Sequence, residues 1–514
     1  MKKALTIALV GLSIPVVSHA VEFQTPGAMG MGGAGVARNN GALTSYWNPA
    51  GGAFGSSSVA ISAGAGAGVK GSDGLAENVD RLSKINFESV KNFNTASGAG
   101  GVGDVVKALT ILKDIDDRKG NLAVAVVAPV SFSSGNFSFG VYGNMEGYIQ
   151  PTVDIRNILP NQTTGGTLTV QNLSTAVGTT TYTTSGYFST AQLTALQTQL
   201  IETSKNTAPG ATALTPAEAS TLALAIENKL QGSGIPSTTA YDAITTTVLP
   251  TLDPTKKTAT ETINKNTTSA MTKALQYIEV PLSYGYPINV GSTGKLGIGI
   301  TGKLISGTVY QNQILLVNRA GGNNISSKDL VNDITNNKKS SLTYGIDVGA
   351  LYKYNKALSL GIVAKNLNSP KFDGPDYLAP VANDPTATVS VAGTSVELKP
   401  QVRSGVAFDP IGWLSVAADL DLTENETVTP GAVVGSSFKS RNFGGGFEAK
   451  PASWLKVRGG AYRNLASSRG NVLTAGFKLF LLDVDGAFAT DSFVVDGRTL
   501  PQEVQLHASM GFSF

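Results

Sequence analysis

The chain has no cysteine, which excludes a disulfide framework, a thiolate metal site and thiol redox chemistry. Histidine is almost as scarce, with only His19 and His507 present. His19 falls in a segment expected to be removed on export, and a lone His507 assembles neither a multi-histidine zinc site nor a thiol–histidine pair. No metal and no cofactor is expected. Charge is thin as well: 15% of residues are Asp, Glu, Lys or Arg, against about 25% in soluble domains, as expected where part of the surface faces lipid. The formal net charge of +3 implies no nucleic-acid partner. Beyond the first twenty residues, no apolar run approaches the roughly 18 to 20 residues of a spanning helix, so a helical membrane protein is excluded.

What is present begins with "MKKALTIALVGLSIPVVSHA". Lys2 and Lys3, an apolar stretch from Ala4 to Val17, and small residues at Ser18 and Ala20 predict a secretory signal peptide over 1–20, cleaved after Ala20. At the other end, "VQLHASMGFSF" sets Val504, Leu506, Ala508, Met510, Phe512 and Phe514 at every second position. Period two with one apolar face predicts a strand half exposed to something apolar.

The pattern recurs along the chain. Leu296, Ile298, Ile300 and Leu304 alternate with Lys295, Thr301 and Lys303; Leu342, Tyr344, Ile346 and Val348 with Thr343 and Asp347; Val416 and Leu420 with Asp419 and Asp421; Leu482 and Val484 with Asp483 and Asp485. Fourteen strands are predicted, near 57–68, 121–131, 136–147, 277–288, 295–309, 341–354, 357–366, 400–408, 412–421, 437–449, 453–463, 471–480, 482–490 and 502–514. After every even-numbered strand the link is short ("SSGN", "NVGSTG", "NK", "DPIG", "KPA", "L"), and after the odd-numbered ones it is mostly long. Tight turns on one side and long loops on the other, with an even strand count, define the layout of an outer-membrane barrel. The expected fold class is therefore all-β: a transmembrane antiparallel β-barrel over 55–514 in the outer membrane of a Gram-negative bacterium. The charged face would line the lumen, and the barrel-assembly machinery and outer-membrane lipid would be its partners.

Two long loops carry helical patterns. In the loop at 70–119, "DVVKALTILKDIDD" stripes Val105, Leu109 and Leu112; in the Thr/Ser-rich loop at 148–276, "STAQLTALQTQLIETSK" stripes Leu193, Leu196 and Leu200. In "TPAEASTLALAIENKL", Thr215 and Glu218 form a capping box, Pro216 takes the first helical position, and Leu222, Ile226 and Leu230 share a face. These stripes either pack on one another as a cap or line an external groove for a hydrophobic ligand.

The stretch "GAMGMGGAG" at 27–35 satisfies G-x-G-x-x-G through Gly30, Gly32 and Gly35. A dinucleotide loop needs a strand before it, a helix after it and an acidic residue some 20 positions on, and none is present. A fourteen-stranded barrel does need something to narrow its lumen. Residues 21–54 precede the first strand and are rich in Gly and Ala, so they are expected to form an N-terminal plug in which Gly30, Gly32, Gly33 and Gly35 permit tight turns and close backbone packing.

"AMGMGGAGVARNNGALTSYWNPAGGA", with its Asn48-Pro49-Ala50 triplet, resembles the N-terminal hatch of the FadL superfamily of outer-membrane hydrophobic-compound channels. "YGIDVGALYKYNKALSLGIVAKNLNSPKF" and "NFGGGFEAKPASWLKVRGGAYR" are similar to a TraF-like branch labelled as conjugal transfer proteins. The resemblance implies passive uptake of a hydrophobic small molecule, such as a long-chain fatty acid or an aromatic hydrocarbon. It further implies capture at external loops, passage above a gating hatch, and lateral exit beside a kinked third strand. There, Gly140 and Gly143 either permit the kink or merely accommodate neighbouring bulk. The alternative is a non-transporting envelope component, such as a part of a conjugation apparatus with conjugation proteins as partners. An enzyme is not expected: His507 with Ser509, and the pairs Asp483/Asp485 and Asp419/Asp421, read most economically as lumen filling and charge lattice.

Overall fold

Alternation of apolar and polar residues closes into a complete barrel. The structure is a computed structural model. It describes residues 27–38, 41–55, 58–72, 74–85, 90, 97–157, 168–206, 212–253, 255, 265–290, 294–316, 332, 335–426, 428, 439–466 and 470–514; the expected signal peptide lies outside them. Fourteen antiparallel strands form the wall. They are β1 (Val59–Gly71), β2 (Leu122–Ser134), β3 (Phe137–Thr152), β4 (Ser269–Asn289), β5 (Lys295–Leu315), β6 (Lys338–Lys353) and β7 (Leu358–Lys365). They continue as β8 (Gln401–Ile411), β9 (Leu414–Asp421), β10 (Asn442–Ala452), β11 (Leu455–Asn464), β12 (Val472–Leu479), β13 (Leu482–Ala489) and β14 (Glu503–Ser513). β1 pairs with both β2 and β14, which removes every free sheet edge. All fourteen predicted strands are present, in the predicted order.

The outer face is apolar. Ile300 is 54% exposed, Leu506 59% and Leu342 69%, as suits a surface solvated by lipid rather than water. Exposed aromatics ring the short-turn end: Tyr354, Trp413, Trp454, Phe480 and Phe514, with Trp454 stacked on Phe480 at 5.8 Å between centroids. Among the described residues no helix is long and apolar enough to cross a membrane.

β4 starts at Ser269 and β5 ends at Leu315, well beyond the stretches whose alternation announced them. The projecting part of β4, Ser269–Leu275, is buried on both faces by protein, so its residues carry no lipid-side period. The wall is consequently unequal in height, with 21 residues in each of β4 and β5 against 8 in each of β7, β9, β12 and β13.

The long connections hold helices outside the wall. α1 (Leu75–Ser83) and α2 (Gly98–Arg118) lie between β1 and β2; α3 (Val170–Val177), α4 (Thr190–Lys205), α5 (Pro216–Leu230) and α6 (Ser237–Ala243) lie between β3 and β4. At the start of α5, Glu218 N donates to Thr215 Oγ1 at 3.3 Å and Thr215 N donates to the Glu218 carboxylate at 2.8 Å. Leu193, Leu196, Leu200, Leu222, Ile226 and Leu230 all sit in one core with Leu109 and Ile111 of α2 and Leu173 of α3. That corrects the groove expectation: the six residues form no open surface, because α2 from the other long loop and α3 from their own close over them.

Candidate functional site: the barrel interior

Inward positions carry the charge. Arg458 donates to Glu448 (2.9 Å) and Asp485 (3.0 Å) and forks onto Asp483. Lys303 bridges Glu279 and Asp347, each at 3.1 Å, and Arg403 reaches Asp421 at 2.9 Å. Asp483 and Asp485 thus share Arg458 of β11, and Asp421 pairs with Arg403 of the adjacent strand β8. His507 is buried with no hydrogen-bond partner at Nε2, and no hydrogen bond joins it to Ser509. Among the described residues no group of three or more His, Asp or Glu side chains is placed to hold a metal.

Residues 27–38 and 41–55 run inside this charged lining at the short-turn end, and they dock largely through backbone. Turns at Met29–Met31 touch β10 to β13, the turn at Gly41–Leu43 touches β1 and β2, and Pro49–Phe54 touches β3 to β6. Contact this close requires both partners to lack side chains. A Cβ on Gly30 would meet Arg458 Cβ at 3.1 Å, and one on Gly35 would enter the Trp47 ring at 2.6 Å. On the wall, a Cβ on Gly299 would strike Pro49, one on Gly349 would land on Asn48 Oδ1, and one on Gly460 would meet Gly32 N at 2.6 Å. Gly32 and Gly33 also take positive φ, 65° and 75°, a region L side chains rarely occupy.

Polar contacts fix the segment as well. Asn48, 3% exposed, donates through Nδ2 to the carbonyls of Val36 and Ala350, both at 3.1 Å, while its Oδ1 accepts from Ala50 N at 3.0 Å. Asn48 therefore caps the Pro49–Phe54 turn and ties it to β6 at once. Asp419 on β9 accepts from the backbone N–H of Gly35 (2.8 Å) and of Val36 (3.0 Å). Arg38 pairs with Glu448 on β10 at 3.3 Å. The contribution of Asp419 was not legible in the sequence, where it looks like any other inward carboxylate. The wall glycines were visible only as a regularity: Gly297, Gly299, Gly349 and Gly361 all fall on inward positions of their strands.

Beside this segment the wall loosens. β3 pairs with β4 up to Phe139↔Leu282 and again from Tyr142↔Glu279, so Gly140–Val141 and Val280–Pro281 are unpaired. Pro281 has no N–H to give. The β1–β2 ladder lapses likewise between Ala63↔Val130 and Gly66↔Val127, opposite Pro129. Both lapses lie at one height, because Val130 pairs with Val141. Gly140 sits in the first lapse, with its bare Cα against the Tyr142 ring; Gly143 is paired on both sides, with Ala128 and Ile278. Tyr142 shares a short hydrogen bond with Ser45 of the N-terminal segment.

Toward the long-loop end the lining turns apolar. Tyr148, Leu275, Tyr277, Ile305 and Val309 cluster with Phe372, Val396 and Leu398. The last three come from the β7–β8 connection, where Lys371–Phe372 and Val396–Glu397 form a small ribbon. Phe372 is fully buried, lying over Gly307 of β5. Nothing periodic in "SPKFDG" marked Phe372 beforehand.

A closed transmembrane barrel with a charged lumen and an internal N-terminal segment is the class these features define. Residues 45–421 match the family described as "F plasmid transfer operon, TraF, protein", and the chain belongs to that family. Among solved structures it is similar to the toluene transporter TbuX of Ralstonia pickettii, with 12% identity, 95% of this chain and 97% of that one covered, and a TM-score of 0.43. It is also similar to the toluene transporter TodX of Pseudomonas putida (11%, 97% and 99%, 0.41) and to a FadL homologue of Pseudomonas aeruginosa (11%, 98% and 98%, 0.38). No curated protein matches.

Proposed function

We propose that the protein is an outer-membrane channel for passive uptake of hydrophobic small molecules, such as long-chain fatty acids or aromatic hydrocarbons. One observation carries the reading. The N-terminal segment is bonded through Ser45 to Tyr142, next to the unpaired stretch Gly140–Val141 in a lipid-facing wall. Displacing that segment would uncover a lateral way out of the lumen, whereas a purely structural barrel has no use for a weak seam beside a removable plug. In this reading residues 21–54 are the hatch, held by Asn48, Pro49 and Ala50 and by glycine contacts at 30, 32, 33 and 35. The long connections face outward from the cell, the barrel-assembly machinery inserts the chain, and the reaction is transport rather than enzymatic turnover.

The family description favours one second reading, a non-transporting outer-membrane component of a conjugation apparatus. Deleting residues 27–50 separates the two. A channel should pass from nearly silent to conducting in planar bilayers, and cells carrying the deletion should lose selectivity in taking up labelled hydrophobic substrates. A deletion that reaches the outer membrane, stays silent and leaves uptake unchanged would favour the structural component.

A further inference from the structure

We infer that the Lys371–Phe372/Val396–Glu397 ribbon is an outer gate, latched by Lys273 and released when the anionic head of an amphipathic molecule takes that lysine; the inference rests on the channel reading and narrows its substrate class.

The latch is a buried cation without a counter-ion. Lys273 on β4 is 6% exposed, and its ammonium donates to Thr394 Oγ1 at 2.6 Å. Among the described residues no carboxylate lies within ion-pair distance of it. Burying a charge without an opposite partner is costly, so the site is incomplete as it stands. The adjacent strand adds a second unmet donor. Gln311, directly opposite Lys273 in the ladder and 1% exposed, accepts from Thr394 through Oε1 but leaves Nε2 without a partner. The nearest inward carboxylate along β3, Glu146, already accepts from Tyr148. Lys273 and Gln311 thus meet around Thr394 with donor hydrogens to spare, and a carboxylate or similar monoanion would give the lysine the counter-ion it lacks.

The same strands supply the apolar part. Leu275 and Tyr277 follow Lys273 on the inward face of β4, and Val309 precedes Gln311 on β5; Phe372, Val396 and Leu398 of the ribbon lie against them. Thr394, the residue that holds the lysine, is two positions from Val396 in the same connection. An anion at Lys273 competes with Thr394 for the ammonium and loosens the ribbon. The molecule's apolar body then takes the place of Phe372. A neutral hydrocarbon has nothing with which to open the latch.

The test uses the full chain in a non-ionic detergent at neutral pH, with decanoate and decanol as probes. Binding is read by titration calorimetry and ribbon opening by hydrogen exchange at residues 371–372 and 396–398. Decanoate should bind more tightly than decanol and should deprotect the ribbon. Lys273→Gln, which keeps a donor for Thr394 without the charge, should weaken decanoate about tenfold or more while moving decanol by less than about twofold. Phe372→Ala should deprotect 396–398 without any ligand, its barrel verified by heat-modifiable migration. Unchanged decanoate binding in Lys273→Gln, or a ribbon that stays protected with decanoate bound, overturns the gate and leaves the channel reading standing. If neither probe binds the parent protein, the channel reading falls and the gate with it.

Discussion

At the scale of single residues, what separates inside from outside is the sign of a substitution's cost. Ile300 faces lipid partway along β5, and an arginine there should cost about 2 to 4 kcal/mol near the midplane. Both N–H groups that Asp419 holds bond the same oxygen, Oδ2, so Asp419→Asn keeps an acceptor for them and should cost clearly less; refolding titrations into lipid vesicles compare the two. Asn48 is a different case, because its one side chain serves both the plug and the wall. Asn48→Ala should cost about 1 to 3 kcal/mol of docking energy, since the buried backbone groups it served lose their partner. The measurable result is faster proteolysis of residues 27–50 with an unchanged barrel. The Asn48-Pro49-Ala50 triplet was legible as a signature, and Pro at the start of a turn after a capping Asn explains its order. Asp419 and Phe372 were not legible, because their partners lie hundreds of positions away or in a stretch without period.

At the scale of elements, the helices of the cap show how local chemistry and distant packing divide the work. Thr215, Pro216 and Glu218 could be read directly as a helix start, and the observed hydrogen bonds are those the spacing demands. Those bonds hold the Glu218 carboxyl below its ordinary value of 4.5, the Thr215 backbone N–H contributing most. The sign follows: a lowered folded-state value gives stability that is complete above the unfolded value and lost as pH falls through the folded one. Hydrogen exchange across α5 should therefore quicken on acidification below about pH 4.5, and Glu218→Gln should flatten that dependence. The destination of Leu196 and Leu222 could not be read in the same way. Each stripe is amphipathic alone, and only the arrival of α2 and α3 from other parts of the chain buries it. Leu222→Ala should cost the helical body about 2 to 5 kcal/mol, seen as loss of α4 and α5 protection while the barrel amides stay unchanged.

At the scale of the whole molecule, topology was legible because turn lengths alternate, and a closed antiparallel wall requires that all short turns share one end. Epitope tags at Ser233 and near 325 should be reached by antibody on intact cells, whereas tags at 356 and 453 should be reached only after permeabilisation. Labelling of the second pair on intact cells would invert the orientation. What the alternation could not convey is the uneven height of the wall, since the projecting end of β4 answers to protein neighbours rather than to lipid. With a rise of roughly 3.3 Å per residue, strands of 21 residues tilted about 40° overshoot a hydrocarbon band of about 25 Å by about the height of the band itself, and Lys273 lies four residues from the far end of β4. Lys273 is therefore carried above the hydrocarbon band, where mobile ions reach it once the ribbon opens, while Arg458 and Asp485 lie near the opposite, short-turn ends of their strands. Salt should distinguish the two charge systems: raising ionic strength toward 1 M shrinks the screening length to about 3 Å, so selection between charged and uncharged solutes at the mouth would fade while the lattice below kept its geometry. On the proposed channel function, a cell in brackish water and one in fresh water would, through the same protein, sample different mixtures of the same solutes.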